Sequence, residues 1–391
     1  MSTAKRPERG IAPPAVPDGG EAALLTPGST AHFLGAPKAG AARADAAQGR
    51  DKRYLILAEG LSADPHYGKT AHGILRYRPN PVVGILDSTR AGETMEGVPI
   101  VGSVNDALCF NPTTAIVGVA TQGGRFPPEW RELLKSCIAK GLDIESGLHE
   151  FISDDPELSE LAGRYGVELH DLRRAPSDLN VPTGENMRLD AKVVLTVGSD
   201  CAIGKKTVSI ELDLEARRRG LESVFVPTGQ TGIAVAGWGI AVDAVVSDFL
   251  AGAAERLVVE GTRRGGKLLF VEGQGALCHP LYSGVTLGLL HGSAPHALVL
   301  CHLPGSTEIV GCPGHPIPSL PELVRLHEEV SLPARKAAVA AVALNTGGLS
   351  DSDANSAIAG AEAETGLPAD DPVRFGAGKL LDAVLDAFDA E

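Results

Sequence analysis

Gly198-Ser199-Asp200-Cys201-Ala202-Ile203-Gly204-Lys205-Lys206-Thr207 follows directly on the apolar run Val193-Val194-Leu195-Thr196-Val197. A short continuous apolar run reads as a buried strand, and the glycine-bounded turn after it opens a helix that begins with lysine. That order aims backbone N–H groups and ammonium groups at one spot, where a phosphate can sit. A phosphate-bearing ligand is the first functional expectation, and the stretch leaves ATP, GTP and coenzyme A open. Five residues separate the two glycines, where the commonest phosphate loop has four. Lys206 stands where a magnesium-binding Ser or Thr usually follows the lysine, and Thr207 comes one place later. Backbone amides, a helix N-terminus and Lys205 or Lys206 still supply the physics of anion binding.

Outward from this loop, the candidate strands are 193–197, 223–226, 268–271, 297–303 and 339–344. Helices fit Lys205–Arg219, stopped by Gly220, and also Ala241–Leu257 and Pro321–Glu329. Upstream, 54–58, 82–86, 115–119 and 142–144 are further short apolar runs, and a helical stretch from Pro128 to Lys140 ends at Gly141. Apolar strands alternating with helices predict parallel sheets covered on both faces. The fold class is α/β, with two doubly wound parallel-sheet domains: a Rossmann-like one at residues 51–175 and a P-loop one at 191–391, joined by a linker at 176–190. Residues 1–50 hold 26 Gly, Ala or Pro, too little burial to offset ordering, so a mobile tail is expected there, with His32-Phe33-Leu34 as its one docking candidate.

The net charge of −14 argues against a nucleic-acid or anionic-membrane binder. Six scattered cysteines with no C-x-x-C pair read as reduced thiols in a cytoplasm. No apolar run approaches the roughly 20 residues that span a bilayer, and no apolar segment follows the basic N-terminus. The expected partner is a small molecule, and a homo-oligomer is expected on general grounds.

Other stretches bear chemistry. Glu272 ends the strand 268–271 and is followed by Gly-Gln-Gly, so its carboxylate can hold Mg²⁺ opposite the phosphate loop, with Thr207 as the second metal candidate. Pro227-Thr228-Gly229-Gln230-Thr231-Gly232 follows the next strand and lies at the same carboxyl edge, which makes Gln230 and Thr231 candidates for cofactor contact; a plain crossover loop reads almost as well. His279 and His291 are the candidate acid–base groups. Cys278-His279, Cys301-His302 and Cys312-Pro-Gly-His315 do not match zinc-site spacing. In the first domain, 118–124 and 147–150 follow strands and could line a pocket, while Gly68-Lys69-Thr70 imitates the end of a phosphate loop without the earlier glycine.

The segments 198–205 and Val271-Glu272-Gly273-Gln274-Gly275 resemble the dethiobiotin synthetase group of P-loop enzymes. That resemblance implies phosphate binding by Lys205, Mg²⁺ coordination by Glu272 and an adenine contact from Asn345. A broader likeness covers most of the chain after residue 53. It rests on Ala71-His72-Gly73 with Leu75-Arg76-Tyr77, on Ser146-Gly147-Leu148-His149-Glu150, on 229–232 and 271–275, on His279-Pro280, and on 289–295. These resemble a bacterial and archaeal family described as a domain of unknown function, with a Rossmann-like domain before a P-loop domain. One member is assigned as a D-glutamate N-acetyltransferase using acetyl-CoA. The resemblance implies an acyl-CoA-dependent N-acetyltransferase acting on a small acidic amino acid. The alternatives are an ATP- and Mg²⁺-dependent ligase or kinase, and a nucleotide-binding regulator without turnover.

Overall fold

The computed structural model describes residues 52–64, 67–78, 81–121 and 124–389. The tail expected at 1–50, with its docking candidate, lies outside them. In the first half, β1 (Tyr54–Leu57), β2 (Val82–Leu86), β3 (Thr94–Met95), β4 (Val98–Val101), β5 (Thr114–Val117), β6 (Asp143–Ser146) and β7 (Leu169–Asp171) form a sheet in the order β3-β4-β2-β1-β5-β6-β7. Only the β3–β4 pair is antiparallel. The helices between them are α1 (Lys69–Tyr77), α2 (Val104–Ala107), α3 (Trp130–Ala139) and α4 (Pro156–Tyr165). Helix α4 shows how local chemistry sets an element: Asp155 accepts from the amides of Glu157 and Leu158, Pro156 starts the first turn, and Gly166 closes the helix at φ 65°.

In the second half, β8 (Lys192–Gly198), β9 (Ser223–Val226), β10 (Leu268–Val271), β11 (Ala297–His302), β12 (Ala338–Leu344) and β13 (Ala369–Asp370) form an all-parallel sheet, ordered β13-β12-β11-β8-β10-β9. Its helices are α5 (Lys205–Arg218), α6 (Gln230–Ala236), α7 (Ser247–Arg263), α8 (Ser283–Ser293), α9 (Leu320–Ser331), α10 (Asp351–Thr365) and α11 (Gly378–Asp389). Strand β8 is buried on both faces. Val193, Leu195 and Val197 join one apolar cluster with α7 and α8, and Val194 joins the other with α5 and α11. Each such side chain contributes about 1.5–3 kcal/mol of burial. This is the two-domain parallel α/β architecture that the strand–helix alternation predicts.

The helix expected from Ala241 begins at Ser247 instead. Tertiary bonds hold the preceding residues in a short 3₁₀ turn (Val242–Ala244): the Val242 amide donates to the Thr228 carbonyl, and Asp243 pairs with Arg173. Residues 176–190 are anchored along α7 and α8. Glu255 accepts from Thr183 and Gly184, and Asn186 donates to the Gly292 carbonyl.

Residues 51–391 make one compact unit. Ala234 of α6 is buried in the first sheet's core, and Arg78 after α1 donates to its carbonyl at 2.8 Å. Among the described residues no helix is long and apolar enough to cross a membrane.

Candidate active site

The loop between β8 and α5 leaves the sheet where strand connections diverge to either side, the crevice position in open parallel sheets. Ala202 sits at φ 55° and Gly204 at φ 115°, backbone that glycine adopts without a steric penalty. No side chain caps α5, so its first amides lack intrahelical partners and remain donors to an anion. Lys205 is buried, and its Nζ donates to the Asp200 carbonyl at 2.6 Å, closing the loop on itself. Desolvation holds its ammonium below the ordinary lysine range.

The loop is also fastened from outside. Asp200 Oδ1 accepts from the Cys201 amide at 2.6 Å and Oδ2 from the Val310 amide at 2.8 Å. Ser199 Oγ meets His302 Nδ1 at 2.9 Å, and Asn345 donates to the Ile203 carbonyl at 3.4 Å. Asn345 thus reaches the loop itself.

His279 is buried beside this loop, with Nε2 at 3.9 Å from Asp200 Oδ1. Ligand atoms of Asp200, Cys201 and His279 lie within 4.8 Å of one another. The hydrogen bonds argue against a metal there. The Leu281 amide donates to His279 Nδ1, which places the ring proton on Nε2, and both Asp200 oxygens already accept from the backbone. The trio braces the loop. His291 is not brought to this edge. It lies near the end of α8, shortly before β11 begins, and its Nε2 bonds the Val330 carbonyl at 2.8 Å.

Glu272 leaves the end of β10 into the crevice with 6 % of its surface exposed. The amides of Thr228 and Gly229 both donate to its Oε2, at 3.0 and 3.1 Å. Burial pushes this carboxyl up to about 7, against the opposing pull of Lys206 and of those amides. Gly273 allows β10 to close on β8, since a Cβ there would stand 1.7 Å from the Thr196 carbonyl oxygen. Gln274 donates to the Thr228 carbonyl and ties the two crevice loops together.

The carboxyl edge of the first sheet meets this edge face to face. Thr70 and Thr231 share a hydroxyl hydrogen bond of 2.9 Å. A Cβ at Gly73 would lie 3.3 Å from Lys206 Nζ, and one at Gly147 2.6 Å from Gln230 Oε1. Gln230 and Thr231, expected against the cofactor, therefore also touch the first domain. Thr207 turns its hydroxyl to the Tyr77 phenol, which itself donates to Glu211. Lys206 is the cation whose charge most favours the ionised form of Glu272.

Two residues of this junction escaped the sequence reading, Arg173 and Asp243, whereas Lys69 and His149 stand in the stretches 68–70 and 147–150 that it marked. Arg173 is 4 % exposed and donates to Asp243 Oδ2 at 2.6 Å across the domains. Two signals pointed here: Gly68-Lys69-Thr70, which suggested a phosphate loop, and 147–150, which could line a pocket.

Fold and site together define a two-domain α/β enzyme with a phosphate loop at an interdomain cleft. The DUF1611 P-loop domain, a domain of unknown function, matches residues 180–381, and the DUF1611 N-terminal Rossmann-like domain matches 87–175. The chain belongs to the DUF1611 family. A crystal structure of a DUF1611 family protein from Anabaena variabilis is 41% identical, superposes with a TM-score of 0.80, and shares 86% of this chain and 99% of its own. A protein of Tritonibacter scottomollicae named D-glutamate N-acetyltransferase is 37% identical over 85% of this chain and 98% of its own length. A second of that name, from Pseudoalteromonas sp, is 32% identical over 71% of this chain and 83% of its own. At that identity and coverage the two relatives support an N-acetyltransferase activity for this chain.

Proposed function

We propose that the protein transfers the acetyl group of acetyl-CoA to the amino group of an acidic amino acid, D-glutamate being the substrate named for its relatives. The observation that carries the reading is Glu272, a buried carboxyl held at about 7 between the phosphate loop and the interdomain cleft. A general base works best with a pKa near the working pH. The amides at the start of α5, with Lys205, take the donor's phosphates. Glu272 removes a proton from the acceptor ammonium, and the freed amine attacks the thioester carbonyl. The C–N bond forms and the C–S bond breaks. The proton held by Glu272 passes to the departing thiolate, and the second amine proton leaves to solvent. Lys206 supplies positive charge beside the tetrahedral oxyanion.

Lys206 supplies the favourable charge on Glu272, so the proposed transfer needs no magnesium there. No step is routed through a metal. Incubation with acetyl-CoA and D-glutamate, without ATP, should release free thiol and N-acetylated product. Absence of thiol release across acidic amino acids of both hands would overturn the proposal.

A further inference from the structure

The strand order of the first sheet reverses between β1 and its parallel neighbour β5, and α1 starts at that point, its Ala71 amide bonded to the Gly118 carbonyl. Lys69 opens this helix. Its side chain reaches solvent, yet the surrounding protein lowers its ammonium below the ordinary range, with Arg173 adding to the effect. Lys69 is thus partly enclosed by protein and still open to water.

Arg173 comes to the same place from the loop after β7. One of its nitrogens pairs with Asp243, and its buried Nε has no hydrogen-bond partner among the described residues. A buried donor left without an acceptor is costly, more so when it is charged. His149 adds a third nitrogen base, kept below its ordinary range by burial and then by Arg173, with Asp243 opposing. One turn after Lys69, His72 also carries a buried Nε2 without a partner. Around Asp243, Arg173 and Lys69 leave one positive charge in excess, together with unused N–H donors. A carboxylate supplies the missing charge and acceptor oxygens, and the guanidinium fork matches its geometry.

We propose that Arg173 and Lys69 form the seat for a carboxylate of the acceptor, so that the Rossmann-like domain selects the substrate while the P-loop domain holds the donor. This rests on the acetyl-transfer reading for the name of the ligand, and on the unpaired Arg173 donor for its location. The same anion chemistry could come from the phosphates of coenzyme A, so the test separates the two.

Glutarate binding is measured by calorimetry on the full chain, with and without saturating coenzyme A, for the native protein, Lys69→Gln and Arg173→Lys. Lys69 is solvent-facing, so its variant keeps the test alive if the Arg173 variant fails to fold. The expected result is glutarate binding that persists with coenzyme A present and weakens about ten- to a hundredfold in each folded variant, the loss of a charge-assisted hydrogen bond. Coenzyme A affinity should stay unchanged in the variants. Lack of glutarate binding to the native protein, displacement of glutarate by coenzyme A, or native affinity in Lys69→Gln would each overturn the seat. Glutarate binding without thiol release retires the activity and keeps the seat. Thiol release with D-glutamate at an unchanged acceptor KM in Lys69→Gln does the reverse.

Discussion

Replacing Glu272 by Gln tests the proposed base through stability and turnover at once. Both backbone donors converge on Oε2, so the Gln carbonyl oxygen can accept both bonds and the turn at Thr228–Gly229 survives. What changes is the proton. The native carboxyl binds its proton more tightly folded, at about 7, than unfolded, near 4.5. An acid shifted upward stabilises the fold below its unfolded pKa, and that contribution is lost as pH rises from 4.5 toward 7. At about 1.4 kcal/mol per tenfold change in proton affinity, the loss amounts to about 3 kcal/mol. Urea unfolding between pH 4.5 and 8 should therefore show the native protein losing about that much relative to Glu272→Gln, with the variant the more stable at pH 8. The kcat of the variant should fall by about 10²–10⁴, the usual contribution of a positioned base. Native kcat/KM should reach half its maximum near the carboxyl's own value of about 7. Parallel stability profiles for the two proteins, together with native turnover in the variant, would refute the reasoning.

Lys205→Ala removes the ammonium that closes the phosphate loop, and calorimetry should show coenzyme A binding weakened by about tenfold or more. Gly273→Ala places a methyl 1.7 Å from a backbone oxygen, so the protein should be recovered unfolded or with its melting temperature sharply lowered. Thr70→Val and Thr231→Val each strand a buried hydroxyl and should cost about 1–3 kcal/mol in denaturant unfolding, whereas the double variant should cost less than the sum. His291→Ala loses only its bond to the Val330 carbonyl, so it should lower stability by about 1 kcal/mol and leave kcat unchanged.

Where the chemistry is local, the sequence is legible. The phosphate loop announces itself because strand, glycine and lysine must follow one another along the chain. Glu272 stands out in the same way, as a carboxylate between a strand and two glycines, but the sequence reads it as a Mg²⁺ ligand and not as the base proposed for it. Strands β9 and β10 match the expected runs residue for residue, since every residue in each is buried. Helix α10 had no such signal: only Ala354, Ile358 and Ala361 are buried along it, too sparse and too small to mark a stripe. The Arg173–Asp243 pair was unreadable for a different reason. Arg173 and Asp243 stand 70 positions apart, and neither has a neighbour that sets it off from ordinary surface charge. The late start of α7 has the same origin, because contacts with Thr228 and Arg173 override local helix preference.

Helix α6 has a consequence for how the protein can be taken apart. Its Ala234 completes the core of the first sheet, although the helix belongs by chain order to the second. A cut in the 176–190 stretch would strip the first half of that plug and leave the second half with an uncovered apolar helix. The halves are thus not interchangeable modules. A chimera that borrows the first domain of a relative would have to borrow 230–236 as well, two separate pieces of gene that have to move together.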